Sequence, residues 1–342
     1  MLPRCLGAGL VLTLSTALAA CGGGSQDGAD PSSVGATSGG TKTEADSSNP
    51  VFGDDFPDPD VLEVDGTYYA YATNGNNRNV RVATSTDLAT WEEQEDALPT
   101  LPGWVIKGKT WAPEVTEVAP GSYVLYFTAT NFQPALQCIG AATADDPLGP
   151  FTVVGEGMLV CPQDEGGAID ASTFLDDDGT RYLLWKNDGN CCGLDTWLQL
   201  APLSADGLTL AASPTRLVMQ DQPWEGNLVE APTLVKKDDT YVLMYSANDF
   251  GGEKYAVGYA TADAVAGPYT KHPVPLLDSE SLDGQFVGPG GQDVVTGLDG
   301  KDHLLFHSWY GGLTYRGMNV VPLGWEPDGG VVRPVVDDAA DD

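Results

Sequence analysis

Basic residues are scarce in this chain of 342 residues. Its 16 Lys and Arg stand against 49 Asp and Glu, which gives a formal net charge of −33 at pH 7. Nucleic acids and anionic membrane surfaces are bound largely through clustered Lys and Arg, so the composition predicts no nucleic-acid partner. Helical periodicity is also missing from every long window, which excludes an α-solenoid.

The apolar run near the N-terminus is shorter than the roughly 20 residues that a transmembrane helix needs. It covers residues 6–18, follows Arg4 and leads through small residues into Cys21, as in a lipobox. We predict a signal peptide over residues 1–20 and a lipidated Cys21 with a flexible linker over residues 21–50. An ordinary cleaved secretory signal is the alternative. The protein is then an exported lipoprotein, on the cell surface or a periplasm-facing membrane, that touches the membrane only through its lipid.

Five hairpin signatures recur after residue 50, each made of a short apolar strand, an Asp/Gly turn and an aromatic-rich strand. Their turns lie 55, 58, 60 and 61 residues apart, at Gly66, Gly121, Gly179, Asp239 and Gly300. A second apolar segment follows each hairpin, so a unit holds about four strands. Radial repetition of such sheets is the propeller architecture. We predict an all-β, five-bladed β-propeller over residues 51–342, with four antiparallel strands per blade; a β-sandwich gives no reason for a five-fold repeat.

Three carboxylates occupy the same phase of this repeat. The innermost strand of each propeller blade lines the axis, so the residues at its start should converge. The repeats place these residues there: Asp58, Trp111, Asp170, Glu230 and Gly291. Like charges that share a cleft repel and raise each other's pKa, and clusters of this kind are usually functional. Each acid alone could be an ordinary turn residue, but their shared phase favours a catalytic role.

Five motifs at these blade positions resemble those of glycoside hydrolase family 43. They are Asp55-PheProAspProAspVal, Trp111-AlaProGlu, Ala168-IleAspAlaSer, Val229-GluAlaPro and Gly288-ProGlyGly. The resemblance covers Val51 to about Val336 and implies a five-bladed propeller with α-L-arabinofuranosidase, β-xylosidase or arabinanase activity. It implies that Asp58 is the general base and Glu230 the general acid, and that Asp170 orients this acid and tunes its pKa.

The resemblance implies an activity that releases α-L-arabinofuranosyl or β-D-xylosyl groups from plant cell-wall glycans. An inverting enzyme needs one ionised carboxylate that holds water and one protonated carboxyl on the other face of the sugar. The alternatives are an endo-acting arabinanase and an inactive surface glycan-binding lipoprotein. Retaining fructan and sucrose hydrolases share the architecture, but their Asn-Asp-Pro-Asn-Gly, Arg-Asp-Pro and Glu-Cys motifs are missing here. We expect a monomer that acts on pentose-containing polysaccharides or oligosaccharides.

Three further residues are predicted to bind substrate. Trp111 would form a sugar-stacking wall, and Gln292 would lie beside it. His307 either lines the pocket or is a core histidine. Many family members carry a histidine after Gly-Pro-Gly that supports a central metal ion, often calcium, but this chain has Gly291 there. We therefore predict no required cofactor and leave a central calcium unassigned.

Two other acids and three loops surround these positions. Asp60 and Glu114 lie a few residues further along their strands, and we expect them to bond within their own blades. The loops Asn131 to Cys138, Asn187 to Gly193 and Asn248 to Glu253 would lie on the rim of the pocket. If they close one end of the cleft, the enzyme removes terminal groups rather than cutting within a chain.

Four cysteines lie outside the N-terminal segment: Cys138, Cys161, Cys191 and Cys192. In an exported chain they suggest two disulfides with three possible connectivities. Zinc is the weaker alternative, because there is no CxxC pair and the histidines are far from these cysteines. We expect all four to be oxidised near the pocket rim. Cys138 and Cys161 would pair with one each of the adjacent cysteines or with each other, which leaves a vicinal pair.

Overall fold

The computed structural model describes residues 50–133, 135–155 and 157–336. The signal peptide, the lipidated Cys21 and all but the last linker residue concern residues 1–49, outside the described ranges, and stay predictions. Within the described ranges no helix is long and apolar enough to cross a membrane.

Five four-stranded antiparallel sheets form the five blades, which confirms the predicted propeller. Blade 1 holds β1 (Asp60–Val64), β2 (Thr67–Ala72), β3 (Arg81–Ser85) and β4 (Glu92–Glu93). Blade 2 holds β5 (Val105–Ala119), β6 (Ser122–Asn131), β7 (Gln137–Ala144) and β8 (Thr152–Val153). Blade 3 holds β9 (Ala168–Leu175), β10 (Arg181–Asn187), β11 (Trp197–Pro202) and β12 (Thr215–Met219).

Blade 4 holds β13 (Val229–Lys237), β14 (Thr240–Ala247), β15 (Ala256–Ala262) and β16 (Thr270–Lys271). Blade 5 holds β17 (Val287–Thr296), β18 (Asp302–Tyr310), β19 (Tyr315–Asp328) and β20 (Val331–Val336). Four short 3₁₀ turns connect strands, at Gln163–Glu165, Gly189–Cys192, Pro223–Glu225 and Leu282–Gly284. The first strands β1, β5, β9, β13 and β17 contact their neighbours around the ring and form its inner wall.

The first hairpin shows how the repeat is encoded. Val64 pairs with Thr67 across a two-residue turn, in which Asp65 has φ 50° and Gly66 has φ 84°. Both values lie in the left-handed region that a type I′ turn requires, and Asp-Gly is a favoured sequence for it. The Asp/Gly anchors of the repeat are therefore hairpin turns.

Alternating side chains on each blade pack against the two neighbouring blades. On β6, Leu125 and Phe127 belong to the apolar cluster shared with blade 1, whereas Val124 and Tyr126 belong to the cluster shared with blade 3. Strand side chains alternate between faces with a period of two, so a blade buried on both faces must be apolar at nearly every position. Five such inter-blade clusters make up the core of the described residues.

Three inner-strand acids join neighbouring blades through hydrogen bonds. Each accepts a backbone N–H of the next blade: Asp60 from Val115 at 2.8 Å, Glu114 from Thr173 at 2.8 Å and Asp293 from Val61 at 2.9 Å. The expectation that Asp60 and Glu114 bond within their own blades is wrong, because their strands face the next blade across the narrow axis. The Asp293 contact closes the ring between blades 5 and 1.

These three acids also lie close enough to influence one another. Burial, together with the charges of Glu114 and Asp293, raises the pKa of Asp60 well above its usual range. Burial and Glu114 likewise raise the pKa of Asp293 to about 7. The acids therefore hold protons more tightly in the folded protein than in the unfolded chain.

The cysteines differ in part from the expectation. Cys138 and Cys161 form a disulfide with their Cα atoms 4.8 Å apart, which lies within the usual range. Cys191 and Cys192 are free thiols on the exposed turn Gly189–Cys192. Two of the three connectivities are thereby excluded, and the expected oxidation of all four is not observed, because the helical turn does not bring the adjacent sulfurs into a bond.

We predict that Asp293→Asn flattens the pH dependence of stability. A carboxyl whose pKa is raised by folding stabilises the protein at low pH, and that contribution is lost as the pH rises through about 7. The asparagine oxygen still accepts the Val61 N–H but carries no charge. Urea unfolding between about pH 5 and 8 should show a steeper fall in the free energy of unfolding for the wild type.

The exposed Asp239→Asn is the matched control and should keep the wild-type slope. Asp293→Ala, which leaves the Val61 N–H without its acceptor, should cost about 1–3 kcal/mol at low pH. Equal pH slopes in the wild type and Asp293→Asn would contradict the raised pKa.

Candidate active site

A pocket lies where the inner strands converge, and all three predicted carboxylates line it. Asp58 comes from blade 1 just ahead of β1, Asp170 from β9 of blade 3 and Glu230 from β13 of blade 4. Trp111 of β5 lines the same pocket, and Arg316 of β19 lies on its blade 5 side. The repeat phase thus brings together the residues that the sequence argument aligned.

A left-handed residue recurs at this point in every blade. Positive φ values between 39° and 58° occur at Asp58, Ala112, Asp170, Ala231 and Gly291. In blades 2 to 5 the strand pairing shifts register at the same point, as at a β-bulge, which re-aims a side chain and is common beside active sites. Non-glycine residues adopt this conformation at a cost of about 1–2 kcal/mol, so the inner strands are strained where they present the acids.

Glu230 is held by two donors from outside its own strand. The Tyr255 hydroxyl donates to Glu230 Oε1 at 2.9 Å, and the Lys186 ammonium lies 3.0 Å from Glu230 Oε2. Lys186 is 1% exposed, and Asp188 lies 3.7 Å from its Nζ. Burial lowers the pKa of Lys186, but the carboxylates of Glu230, Asp170 and Asp188 outweigh it and raise the pKa overall. Lys186 is therefore a permanent positive charge beside Glu230.

Asp170 is the carboxyl that holds a proton. Burial and the neighbouring charge of Glu230 raise the pKa of Asp170 to about 8, although Lys186 acts in the opposite direction. Its Oδ2 accepts the Ala231 N–H at 2.9 Å, which ties it to the strand that carries Glu230. Interacting carboxyls titrate as a pair, so the raised pKa of Asp170 reflects the pair that it forms with Glu230.

Asp58 is oriented by three neighbours. The Thr73 hydroxyl donates to Asp58 Oδ2 at 2.6 Å, and the Asp58 backbone N–H donates to His307 Nδ1 at 3.0 Å. Arg316 Nη1 lies 3.9 Å from Asp58 Oδ1. Burial, and then the charge of Arg316, lowers the pKa of His307 well below its usual value. The imidazole is therefore neutral and can accept the Asp58 N–H.

Two of the residues predicted to bind substrate are instead used inside the protein. His307 is fully buried behind Asp58 and stacks on Tyr255 with 5.8 Å between ring centroids, so it does not line the pocket. Gln292 accepts the Ser246 hydroxyl at 2.7 Å and donates to the Ala231 carbonyl at 2.6 Å. Both ends of its amide are occupied, and it borders a narrow cavity on the axis. These two assignments are corrected, because the Gln292 amide is occupied at both ends, and His307, whose Nε2 has no hydrogen-bond partner, is enclosed by protein.

The residues around Gly291 do not fit a central metal. A Cβ at Gly291 would lie 2.6 Å from His307 Nδ1 and 2.8 Å from Asp58 Oδ1, so no imidazole can occupy this position. Among the described residues no group of three or more His, Cys, Asp or Glu could hold a metal ion. We therefore assign no metal ligand at this position.

Sequence reasoning missed Lys186 and Tyr255, which contact Glu230 directly. Their signals were weak: Lys186 directly follows the apolar run Tyr182–Trp185 of β10, and Tyr255 lies in a Gly/Glu/Lys-rich loop before β15. Of the three predicted rim loops, two contribute to the pocket wall. Asp188 and Asn190 come from one, and residues 248–250 come from the other. None of the described residues of the loop Asn131 to Cys138 lines this pocket.

Known proteins similar to this chain share its architecture. The model for glycosyl hydrolases family 43 matches residues 47–331. A β-D-galactofuranosidase of Aspergillus niger is 27% identical over 288 residues, which are 79% of this chain and 78% of that protein. The extracellular endo-α-(1→5)-L-arabinanase 1 of Bacillus subtilis is 26% identical over 70% of this chain and 77% of its own length. A crystal structure of a thermostable family-43 glycoside hydrolase aligns with a TM-score of 0.72 at 29% identity, over 83% of this chain and 93% of that one.

We predict that Gly291→Ala lowers kcat on an aryl pentoside by at least about tenfold, because the added methyl displaces His307 and the Asp58 carboxylate. Gly300→Ala is the matched control. Gly300 has φ 78° in the same blade, but a Cβ there meets nothing within 4 Å. Both substitutions carry about 1–2 kcal/mol of backbone strain, so the difference between them reports the contact. Equal kcat values in two folded variants would contradict the close packing.

Proposed function

The chain belongs to glycosyl hydrolase family 43, and from this premise we propose that it removes terminal α-L-arabinofuranosyl groups from plant cell-wall glycans with inversion. β-D-Xylosyl groups are the second candidate substrate. The observation that carries the proposal is the arrangement of acids in one pocket. Asp58 belongs to blade 1, whereas the interacting Asp170 and Glu230 belong to blades 3 and 4, which are not neighbours of blade 1 in the ring.

Asp58 is suited to act as the general base. Thr73 holds its Oδ2 and His307 its backbone N–H, while Oδ1 lies 3.4 Å from His307 Nδ1 and 3.9 Å from Arg316 Nη1. A water on this face of the sugar gives its proton to Asp58 as its oxygen attacks the anomeric carbon. The Arg316 guanidinium, 3.9 Å from Oδ1, places a positive charge beside the base.

Glu230 is suited to protonate the leaving oxygen. When the glycosidic bond breaks, Glu230 becomes a carboxylate, and the Lys186 ammonium and Tyr255 hydroxyl already lie at hydrogen-bond distance from its two oxygens. Donors aimed at a developing charge stabilise the transition state more than the ground state. Glu230 needs a proton before the bond breaks, and in this proposal it takes the one that the interacting Asp170 holds at rest.

The substrate assignment rests on the chemistry of the relatives' named substrates. One similar enzyme is named for β-D-galactofuranosides and another for α-(1→5)-linked L-arabinan. These two furanosides share the configuration of the ring carbons and differ in the exocyclic group. A pocket inherited from this set is therefore expected to take a five-membered ring of that configuration in preference to the six-membered ring of xylose.

The wall of the pocket favours removal of terminal groups. The rim loops bring Asp188 and Asn190 from blade 3 and Asp249 and Phe250 from blade 4 against the carboxylates. In this proposal the loops close one end of the cleft to an internal segment of a polysaccharide. Endo-arabinanase activity is the alternative, and the Bacillus subtilis relative favours it by name.

The function is tested on nitrophenyl α-L-arabinofuranoside, nitrophenyl β-D-xyloside and linear arabinan. We expect the arabinofuranoside to be cleaved most efficiently, and NMR to detect the β-anomer of arabinose as the first product, since inversion converts the α-linkage. First appearance of the α-anomer would rule out inversion. Oligosaccharides released from linear arabinan without free arabinose would favour the endo-acting alternative, and no cleavage of any of the three would refute the proposed function.

The roles of the acid and the base are separated by leaving-group ability. Glu230→Ala should lose about 10²–10⁴-fold in kcat/KM on arabino-oligosaccharides and much less on the nitrophenyl glycoside, whose phenolate departs without protonation. Asp58→Ala should be comparably inactive on both substrates, because no leaving group replaces the base that activates water. Equal losses for Glu230→Ala on the two substrates would mean that Glu230 is not the acid.

A further inference from the structure

Two adjacent free thiols lie beside the pocket and take no part in the chemistry above. Cys191 and Cys192 end the 3₁₀ turn Gly189–Cys192 that joins β10 to β11, and both are exposed. Asp188 and Asn190 of the same loop line the pocket. The thiols are therefore open to solvent within one to three residues of the pocket wall.

Cys191 is connected to the catalytic carboxylates through short contacts. Its thiol donates to the Gly166 carbonyl at 3.6 Å and also interacts with the Asp188 carboxylate. Asp188 in turn lies 3.7 Å from Lys186 Nζ, which forms the ion pair with Glu230. Oxidation of the Cys191 sulfur can therefore alter the surroundings of Glu230 through the side chains of Asp188 and Lys186.

We propose that Cys191 and Cys192 are a redox site that closes to a vicinal disulfide with a small-molecule disulfide as oxidant, and that closure changes the pocket wall at Asp188 and Asn190. This site goes beyond the proposed hydrolysis, and only its effect on turnover rests on that function. The oxidant is a chemical class that an exported protein meets, since thiols in oxidising compartments exchange with such disulfides.

The reaction is a balanced thiol–disulfide exchange. The Cys192 thiolate attacks one sulfur of the small-molecule disulfide and expels one thiolate, which leaves a mixed disulfide on Cys192. Cys191 then loses its proton, attacks the Cys192 sulfur and expels the second thiolate. Two electrons pass from the protein to the small molecule, which is reduced to two thiols. The Cys191 thiol is engaged with the Gly166 carbonyl, and burial, then Cys192 and Asp188, raise its pKa to about 12. In this proposal Cys191 is therefore the resolving thiol, and Cys192 attacks first.

Ring closure is incompatible with the present turn. In the dithiol form the Cys191 N–H donates to the Asp188 carbonyl at 3.3 Å and the Leu194 N–H donates to the Gly189 carbonyl at 2.9 Å. A ring that includes the peptide bond between two adjacent cysteines restricts the dihedrals of both, so this turn must rearrange. Oxidation also removes the S–H that donates to Gly166.

Close packing transmits the rearrangement to the pocket. A Cβ at Gly166 would lie 2.5 Å from the Asp188 carbonyl oxygen, so the two backbones are in contact without free space between them. Gly166 lies two residues ahead of β9, the strand that carries Asp170. When the turn rearranges, Asp188 therefore shifts relative to Lys186. The same movement displaces Gly166 and the start of β9, the strand that carries Asp170.

The test uses the full-length protein in two forms, one treated with excess oxidised glutathione and one reduced with dithiothreitol. Alkylation followed by mass spectrometry should label both Cys191 and Cys192 in the reduced form and neither in the oxidised form, where the peptide that contains them has lost two hydrogen atoms. Cys138, fully buried in its disulfide with Cys161, should stay unlabelled in both. Hydrogen exchange of the amides of residues 188–194 should differ between the two forms.

The rate of hydrolysis should depend on whether Cys191 and Cys192 are oxidised or reduced. We expect kcat/KM on the aryl arabinofuranoside to differ by about threefold or more between the two forms of the wild type. Cys192→Ser, which cannot close the ring, should show one value under both treatments and serves as the control.

Two labelled thiols after oxidation, or a glutathione adduct that persists on Cys192, would overturn the redox site. Closure with unchanged hydrogen exchange and unchanged kinetics would overturn its link to the pocket. If no pentoside is hydrolysed, the proposed function fails, while the alkylation and exchange data still decide the redox proposal.

Discussion

The ion pair between Lys186 and Glu230 is the contact on which the pocket depends. Three carboxylates that converge on one axis repel one another, and of the pocket-lining cations only Lys186 lies within 3.0 Å of one of them. A buried ammonium without partners would lose its proton, so each charge is stable only because the other is present. Removing either partner of a buried pair leaves an uncompensated charge, which is more costly than the pair is stabilising.

Three acids further along the inner strands avoid charge repulsion in a different way. Asp60, Glu114 and Asp293 are held by backbone N–H groups of the next blade, and the raised pKa values of Asp60 and Asp293 mean that protonation relieves their repulsion. One set of acids therefore links the blades, and its protonation changes the free energy of unfolding. The other set lines the pocket, where Lys186 balances its negative charge. The repeat supplies both sets from the same strands.

The fold and the convergence of the three acids could be predicted because both follow from the period of the repeat. Hairpin turns and alternating apolar residues are local signals, and a ring of equal blades brings equal phases together. What could not be predicted comes from contacts that the repeat does not specify. Lys186 reaches Glu230 from β10 of the neighbouring blade and Tyr255 reaches it from the loop before β15, and no spacing in the sequence relates them to it. The left-handed bulges that aim the acids are likewise invisible, because Asp58 and Asp170 are not residues that demand a positive φ.

His307 and Gln292 were misassigned for a related reason: a polar residue at the right blade position can serve the protein as well as the substrate. Gly291 explains how this happens for His307. Because position 291 has no side chain, the imidazole of His307 can approach the Asp58 backbone and accept its N–H. A side chain at position 291 and the observed place of His307 exclude each other. The glycine at position 291 therefore allows a neutral, buried histidine to hold the backbone of Asp58 in place.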